Sequence, residues 1–200
     1  MSRVPRPHDL VRVAPLTPVD GPDWVRPALA AAPWVVVRRA STPPGVVPVG
    51  IRGDVRSHRH ATVIGASEIL ETLSPPELLS RIGQLPDLPA ASAMRAVVSI
   101  LEPTGLSWGP GGSVGFTLAS GMVVMTADSD LDIVIFASRL PSRDALGALA
   151  DALRDLPARV DCQLDLPGGG VALDEIVRAD RVLVRTNDGP VLTAVAELAG

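Results

Sequence analysis

Two aspartates open an apolar, β-branched run and constrain this chain more than any other feature. Asp130 and Asp132 lie in the segment SDLDIVIF, which ends at Phe136. The run predicts a strand. Because strand side chains alternate between faces, both carboxylates are expected on one face, with their Cα atoms ~6–7 Å apart. Carboxylates that converge in this way repel each other unless a cation lies between them. Mg²⁺ is the expected ion, since it combines one or two carboxylates with phosphate oxygens.

A third carboxylate and a glycine-rich turn complete the candidate site. Asp161 lies in a predicted strand over residues 160–164, flanked by apolar residues and on the same face as Gln163; Asp165 is the alternative. The upstream segment Gly111-Gly112-Ser113 predicts a turn whose backbone N–H groups can approach a phosphate. We therefore interpret Gly112 and Ser113 as substrate-binding residues. Asp130, Asp132 and Asp161 are interpreted as catalytic and metal-binding residues.

The composition excludes several classes of chemistry. The 200 residues contain no lysine, so no Schiff-base lysine or phosphate-binding loop of the GxxxxGK type is available. The net charge of -4 gives no reason to expect nucleic acid as a partner. The single Cys162 fits a reducing compartment, and neither a signal peptide nor a membrane span is recognisable. The sequence thus predicts a soluble, cytoplasmic protein with no membrane partner.

A cluster of arginines lies in the N-terminal half of the chain, upstream of the candidate site. Arg52, Arg56 and Arg59 stand close together within it. The planar fork of a guanidinium suits phosphate oxygens, so the three are interpreted as substrate-binding residues. A solvated charged face is the alternative interpretation, and the sequence leaves it open.

The order of predicted elements indicates an α+β fold with two domains. Strands are predicted over residues 34–38, 46–51 and 61–64, and Gln84–Ala90 is the linker candidate. Residues 1–86 are expected to form a smaller substrate- or partner-binding domain, and residues 90–200 a catalytic domain with a mixed sheet and helices. Within the latter we expect a helix up to Leu101, a strand pair joined near Ser120-Gly121, a helix capped by Ser142, and strands at 160–164 and 181–186.

The site pattern resembles the nucleotidyltransferase superfamily typified by DNA polymerase beta. In that superfamily a Gly-Ser pair precedes an Asp-x-Asp strand, and a later acidic residue follows on a neighbouring strand. A narrower resemblance covers nearly the whole chain. It is carried by the segments RPHDL (6–10), WVVVRRA (34–40), VPVGIRG (47–53), GSVGF (112–116), SDLD (129–132), GGVAL (169–173) and VRTNDGP (184–190). These segments are similar to malonate decarboxylase holo-acyl-carrier-protein synthase, also called phosphoribosyl-dephospho-CoA transferase.

The resemblance implies a Mg²⁺-dependent transfer reaction. The phosphoribosyl-dephospho-CoA group of 2'-(5''-triphosphoribosyl)-3'-dephospho-CoA would move to a serine of the apo acyl-carrier subunit of malonate decarboxylase, and diphosphate would leave. The family's catalytic pair maps onto Asp130 and Asp132, and the superfamily pattern adds Asp161. The citrate lyase carrier as acceptor, a nucleotidyltransferase that uses ATP, and a non-catalytic module that binds a carrier protein remain alternatives.

Overall fold

The computed structural model describes residues 3–15, 17–55 and 57–199, so the predicted substrate residue Arg56 lies outside the described residues. Six α-helices and eleven strands are described. In chain order they are β1 (Leu10–Val13), α1 (Val25–Ala31), β2 (Trp34–Val37), β3 (Val46–Arg52), β4 (Arg59–Gly65), β5 (Ile69–Leu73), α2 (Pro75–Leu78), α3 (Pro89–Leu101), β6 (Ser107–Pro110), α4 (Gly112–Ser120), β7 (Leu131–Phe136), α5 (Arg143–Arg154), β8 (Val160–Leu166), β9 (Gly169–Ala172), α6 (Leu173–Arg178), β10 (Arg181–Thr186) and β11 (Gly189–Ala194). Short 3₁₀ segments lie at Ala66–Glu68, Leu79–Gln84, Glu102–Thr104 and Val195–Ala199.

The first sheet is antiparallel and has the strand order β4-β3-β2-β1-β5. Valines at alternate positions of β3, such as Val47 and Val49, point into a small core that also contains Val25 of helix α1. The period of two explains why β3 was predictable, and short β-branched runs indicated β2 and β4. Strands β1 and β5, of four and five residues, were not predicted.

The second sheet is mixed and has the order β11-β10-β9-β8-β7-β6. Strands β7 and β8 run parallel, and the other strand pairs described in this sheet are antiparallel. Leu131, Ile133 and Ile135 of β7 are buried in the larger core, where they share a cluster with Met94 of α3 and Leu146 of α5. The predicted α+β class with a mixed C-terminal sheet is confirmed.

One predicted element is wrong. A strand pair joined near Ser120-Gly121 was expected after the glycine turn, but residues 112–120 form helix α4, which ends at Gly121 in a left-handed conformation, and the described residues 122–130 contain no strand. Every residue of α4 from Ser113 to Ala119 is buried. A helix buried on all sides carries no polar face, so its sequence shows no helical periodicity. Strand β7 also begins at Leu131, which leaves Asp130 just before the strand.

Side-chain caps stand at the starts of helices α5 and α2. The Ser142 hydroxyl accepts a hydrogen bond from the Ala145 backbone N–H at 3.3 Å and begins α5. Ser74 and Glu77 form a capping box, in which the Ser74 N–H donates to Glu77 Oε2 at 2.7 Å. Both helix starts were thus encoded locally.

Two residues of the first sheet pack into the larger core beside the second sheet. Leu10 of β1 and Trp34 of β2 belong to the larger core together with Leu78 and Leu85. The segment after Leu73 therefore packs with the second sheet. The domain boundary drawn from the linker at 84–90 stays a prediction. Across the described part of the chain, no helix combines the length and the apolar character that a membrane span requires.

Two glycines offer a direct test of this packing. At Gly109 in β6, a Cβ would overlap the Pro75 carbonyl group and come within 2.6 Å of the Pro76 nitrogen, whereas a Cβ at Gly147 in α5 meets nothing within 4 Å. Gly109→Ala should therefore lower the free energy of unfolding by about 1–3 kcal/mol through overpacking. Gly147→Ala should raise it by about 0.5–1 kcal/mol, because alanine loses less backbone entropy in a helix. Urea denaturation measures both, and equal effects would contradict the close contact of β6 with α2.

Candidate active site

The parallel pairing of β7 with β8 places two of the predicted carboxylates side by side. Asp132 and Asp161 are direct register partners in this ladder. Neighbouring strands lie about 4.8 Å apart, and register partners point to the same face of the sheet. Both residues line one cavity of about 490 Å³. Asp130 precedes the strand, is half-buried, and is not among the residues that line this cavity.

The start of helix α4 touches the Asp132 side chain and backbone. The Gly111 N–H donates to the Asp132 carbonyl at 2.9 Å. Gly112 has φ of 51°, and a Cβ there would overlap Asp132 Oδ2 and lie 2.6 Å from its Cγ. Only glycine fits at this position, for reasons of both φ and space. Ser113 is buried in the first turn of α4 and is not among the lining residues of the cavity.

Charged side chains of both signs surround this carboxylate cavity. Its lining adds Asp174 and Glu175 of α6 to the two aspartates, together with Arg159 and Arg185. Arg159 Nη2 lies 2.7 Å from Asp161 Oδ1, and both side chains are substantially exposed. An exposed pair of this kind contributes little stability, so Arg159 is free to exchange partners when a ligand binds. Asp174 and Glu175 were not predicted, since their segment carries no motif.

The competing carboxylate, Asp165, has a different environment. It forms an ion pair with Arg39 of the segment after β2 and is not among the lining residues of the carboxylate cavity. Burial raises the pKa of Asp165, while the Arg39 guanidinium opposes that shift. The structure therefore brings Asp161, rather than Asp165, beside Asp132.

Three arginines line a second cavity, of about 390 Å³, on the first sheet. They are Arg38, Arg52 and Arg59, and no carboxylate occurs among the described residues that line it. Arg52 and Arg59 are register partners in the β3–β4 ladder. Like charges directly opposite each other in a sheet destabilise it, and a bound anion relieves that repulsion. We call this space the arginine cavity. Arg38, whose role the sequence left unassigned, joins the two predicted residues there.

The carboxylate cavity and the arginine cavity meet at the same place. His8, Gly111 and Gly112 line both of them. The site therefore spans the two sheets. Among the described lining residues, the cavity on one side of the glycine turn contains all the carboxylates together with two arginines, and the cavity on the other side contains three arginines.

A chain of hydrogen bonds across this junction fixes the tautomer of the His8 ring. Arg185 Nη1 donates to Gln163 Oε1 at 2.8 Å, which leaves the Gln163 amide nitrogen facing His8 Nε2 at 3.0 Å. His8 Nε2 therefore accepts, and the ring proton resides on Nδ1. Burial, Arg39 and Arg185 lower the pKa of His8 to about 4. His8 is consequently neutral near pH 7 and suits a role as a hydrogen-bond donor rather than a general base.

Sequence reasoning assigned no chemistry to His8, because its partner Gln163 lies 155 positions away. The sequence feature that could have indicated this part of the site is Gln163, which shares a strand face with Asp161. Cys162, on the opposite face of β8, is buried, and burial raises the pKa of its thiol to about 12. The thiol therefore stays protonated and is no candidate nucleophile.

The donor set fits a divalent cation only in part. Among the residues that the structure describes, no group of three or more His, Cys, Asp or Glu side chains is arranged to hold a metal ion. Asp132 and Asp161 are nevertheless adjacent on one face, and two carboxylates suffice for Mg²⁺ when phosphate and water oxygens supply the other ligands. The participation of Asp130 stays a prediction.

Two family models match this chain. A family model for the N-terminal domain of phosphoribosyl-dephospho-CoA transferase MdcG matches residues 6–75, and the model for its C-terminal domain matches residues 77–196. This chain therefore belongs to the phosphoribosyl-dephospho-CoA transferase family, and it is a transferase.

Relatives of that name match along nearly their whole length. A phosphoribosyl-dephospho-CoA transferase of Pseudomonas putida is 42% identical over 193 residues, which cover 95% of this chain and 94% of the relative. One from Pseudomonas aeruginosa PAO1 is 41% identical over 192 residues, with 94% and 91% covered. One from Klebsiella pneumoniae 342 is 37% identical over 199 residues, with 97% of each chain covered. No solved structure matches this chain.

The contact between Gly112 and Asp132 can be separated from backbone strain. Gly112 and Gly121 stand at opposite ends of α4 and both have positive φ, but a Cβ at Gly121 meets nothing within 4 Å. Gly112→Ala should reduce transferase kcat by about 100-fold, because it displaces the Asp132 carboxylate from the cavity. Gly121→Ala carries the strain alone and should keep kcat within about twofold. Steady-state kinetics on both folded proteins tests this, and equal kcat values would contradict it.

The neutral state of His8 has a consequence for stability. Its pKa is about 4 in the folded chain against 6.5 in the unfolded chain, so the unfolded state binds more protons between these values. Stability should fall by up to about 3 kcal/mol as the pH decreases from 6.5 to 4, and this contribution is constant outside that window. His8→Asn tolerates the native φ of 74° and removes the titration.

Denaturation midpoints from pH 7 to pH 4 compare the two proteins. Asp9 and Asp165 have raised pKa values and contribute slopes of the opposite sign, but they do so in both proteins and cancel in the difference. The wild type should lose more stability than His8→Asn over this range. Identical profiles would show that His8 does not titrate as described.

Proposed function

We propose that this protein transfers the phosphoribosyl-dephospho-CoA group from 2'-(5''-triphosphoribosyl)-3'-dephospho-CoA to a serine of the apo acyl-carrier subunit of malonate decarboxylase. The observation that carries the proposal is the junction at Gly111-Gly112, where Asp132 and Asp161 on one side face Arg38, Arg52 and Arg59 on the other. The substrate carries a triphosphate and a separate diphosphate. One cavity suits cation-bound phosphates and the other suits phosphates held by guanidinium groups.

In the proposed reaction the serine Oγ forms a bond to the α-phosphorus of the triphosphate. The bond from that phosphorus to the bridging oxygen breaks, and diphosphate leaves with the electron pair. The serine proton passes to a carboxylate of the cavity, for which Asp161 is the proposed acceptor. When bound, Mg²⁺ would neutralise charge on the triphosphate oxygens, and Asp132 and Asp161, with Asp130, are the residues proposed to hold it.

The remaining residues have positioning roles in this proposal. Gly112 lets the first turn of α4 approach the phosphates, because no side chain stands between the helix start and the Asp132 carboxylate. Arg159 and Arg185 stand at the same cavity and can pair with departing diphosphate. A cytoplasmic location stays a prediction, supported by a lone buried cysteine.

Conversion of each aspartate to asparagine tests the proposal. Asp132→Asn and Asp161→Asn remove a negative charge without changing shape, and each should lower kcat for carrier modification by about 100-fold or more. Asp130→Asn should do the same if its carboxylate joins the site. The control is Asp128→Asn, an exposed aspartate of the loop before β7, which should leave kcat unchanged.

The assay combines the purified protein, Mg²⁺, the triphosphoribosyl precursor and the apo carrier subunit, and mass spectrometry records the adduct on the carrier serine. Full activity of Asp130→Asn and Asp132→Asn together would refute the assignment. Modification of the citrate lyase carrier in preference to this one would change the acceptor and keep the chemistry. Turnover of plain ATP would favour a general nucleotidyltransferase, and loss of all turnover with carrier binding retained would favour a binding module.

A further inference from the structure

A third cavity lies beside helix α1, outside the carboxylate and arginine cavities. It has a volume of about 230 Å³, and its walls include Trp24, Ala28 and Ala31 on one side with Phe116 and Met122 on the other. We call it the apolar groove. Ala31 and Met122 are exposed, so the groove opens to solvent. Of the residues predicted to act in catalysis or substrate binding, only Arg52, a predicted substrate-binding residue, is among the described residues that line it.

The wall formed by Trp24 is held in place before any ligand arrives. Its indole stacks on the His58 ring with centroids 4.7 Å apart and an interplanar angle of 4°. His58 Nδ1 in turn lies 2.8 Å from Asp54 Oδ1, which lowers the pKa of that carboxyl. A rigid apolar wall loses little entropy when a flexible chain binds against it. The groove thus has the character of a built binding surface.

The groove continues the path of the site. Arg52 and Phe116 line both the apolar groove and the arginine cavity. The arginine cavity shares His8, Gly111 and Gly112 with the carboxylate cavity. Three spaces therefore follow one another across the molecule in the order acidic, basic and apolar.

This order matches the chemical order of the precursor molecule. Its triphosphate is joined through two riboses to a diphosphate, and the diphosphate leads to the pantetheine arm, an uncharged chain with a geminal dimethyl group. If the triphosphate lies at Asp132 and the diphosphate at the arginines, the arm reaches the apolar groove next. An uncharged, partly apolar chain gains affinity by burying its surface there.

We propose that the apolar groove between α1 and the segment after α4 binds the pantetheine arm of dephospho-CoA. The proposal rests on the proposed function for the orientation of the precursor. It also predicts that the protein binds dephospho-CoA itself, whether or not it transfers anything to a carrier. The groove would then set specificity for the dephospho-CoA portion, while the carboxylate cavity performs the reaction.

The test uses two neighbouring alanines of one helix. Ala31 lines the groove and Ala30 does not, although both are exposed on α1. Ala31→Trp should fill the groove, and Ala30→Trp adds the same side chain outside it. Calorimetric titration of the full chain compares dephospho-CoA with ADP, which carries the adenosine and diphosphate but no arm.

Ala31→Trp should weaken dephospho-CoA binding by about tenfold or more and change ADP binding by less than about twofold. Ala30→Trp should bind both ligands as the wild type does. Ala28→Phe, which fills the same groove from the other turn of α1, should reproduce the selective loss. If Ala31→Trp does not fold, Ala28→Phe serves as the test variant in its place.

Three results would overturn the proposal. These are no binding of dephospho-CoA by the wild type, unchanged dephospho-CoA binding in the folded groove variants, and an equal loss of ADP and dephospho-CoA in those variants. Carrier modification is not part of the titration. An enzyme that binds dephospho-CoA in the groove but modifies no carrier would refute the proposed function alone, and normal carrier modification without selective binding would refute the groove alone.

Discussion

The parallel register between β7 and β8 is the constraint on which the site depends. It sets Asp132 against Asp161, and the crossover helix α5 connects the two strands. Because side chains alternate along a strand, a slip of one residue would turn Asp161 to the core side and away from Asp132. The buried neighbours Ile133 and Leu164 fix the register, since a slip would expose them to solvent. The apolar core thus determines where the carboxylates meet.

A second feature is that two cavities of different charge adjoin each other. Arg38, Arg52 and Arg59 line one, Asp132 and Asp161 line the other, and Gly111 and Gly112 of the glycine turn line both. The chain His8–Gln163–Arg185 and the ion pair Arg39–Asp165 connect the sheets around that turn. These contacts hold the cavities together, so a substrate with separated phosphate groups can reach both. The arrangement explains why neither sheet alone would carry the proposed activity.

Local patterns determined how much of this could be predicted from the sequence. A run of β-branched residues gave β2, alternating valines gave β3, and the cap at Ser142 gave the start of α5, because these signals act within a few residues. Helix α4 was missed because burial on all sides removes amphipathic periodicity. Gly111 and Gly112 lie beside Asp132, but the segment begins a helix and Ser113 does not line the cavity; the substrate-binding role of Gly112 and Ser113 stays a prediction.

The residues of the candidate site also fall into two groups: those that local sequence patterns predicted and those that long-range packing brought to the site. The structure brings Asp132 and Asp161 together. The sequence favoured Asp161 and left Asp165 as the alternative, because both share a face of β8. What distinguishes Asp165 from Asp161 in the structure is its ion pair with Arg39, which lies 126 positions away in the sequence. His8 and Arg38 became visible only when the first sheet was placed against the second. Long-range packing decided these roles, and no motif encodes them.

The central claim is that Asp132 and Asp161 together hold a divalent cation on a polyphosphate. Electron paramagnetic resonance of Mn²⁺, used in place of Mg²⁺, measures this directly on the full chain in the presence of inorganic triphosphate. The account predicts that the wild type binds Mn²⁺ under these conditions. Replacement of either aspartate by asparagine should lower the Mn²⁺ affinity by about tenfold or more. Equal Mn²⁺ affinity in the wild type and both variants would contradict it.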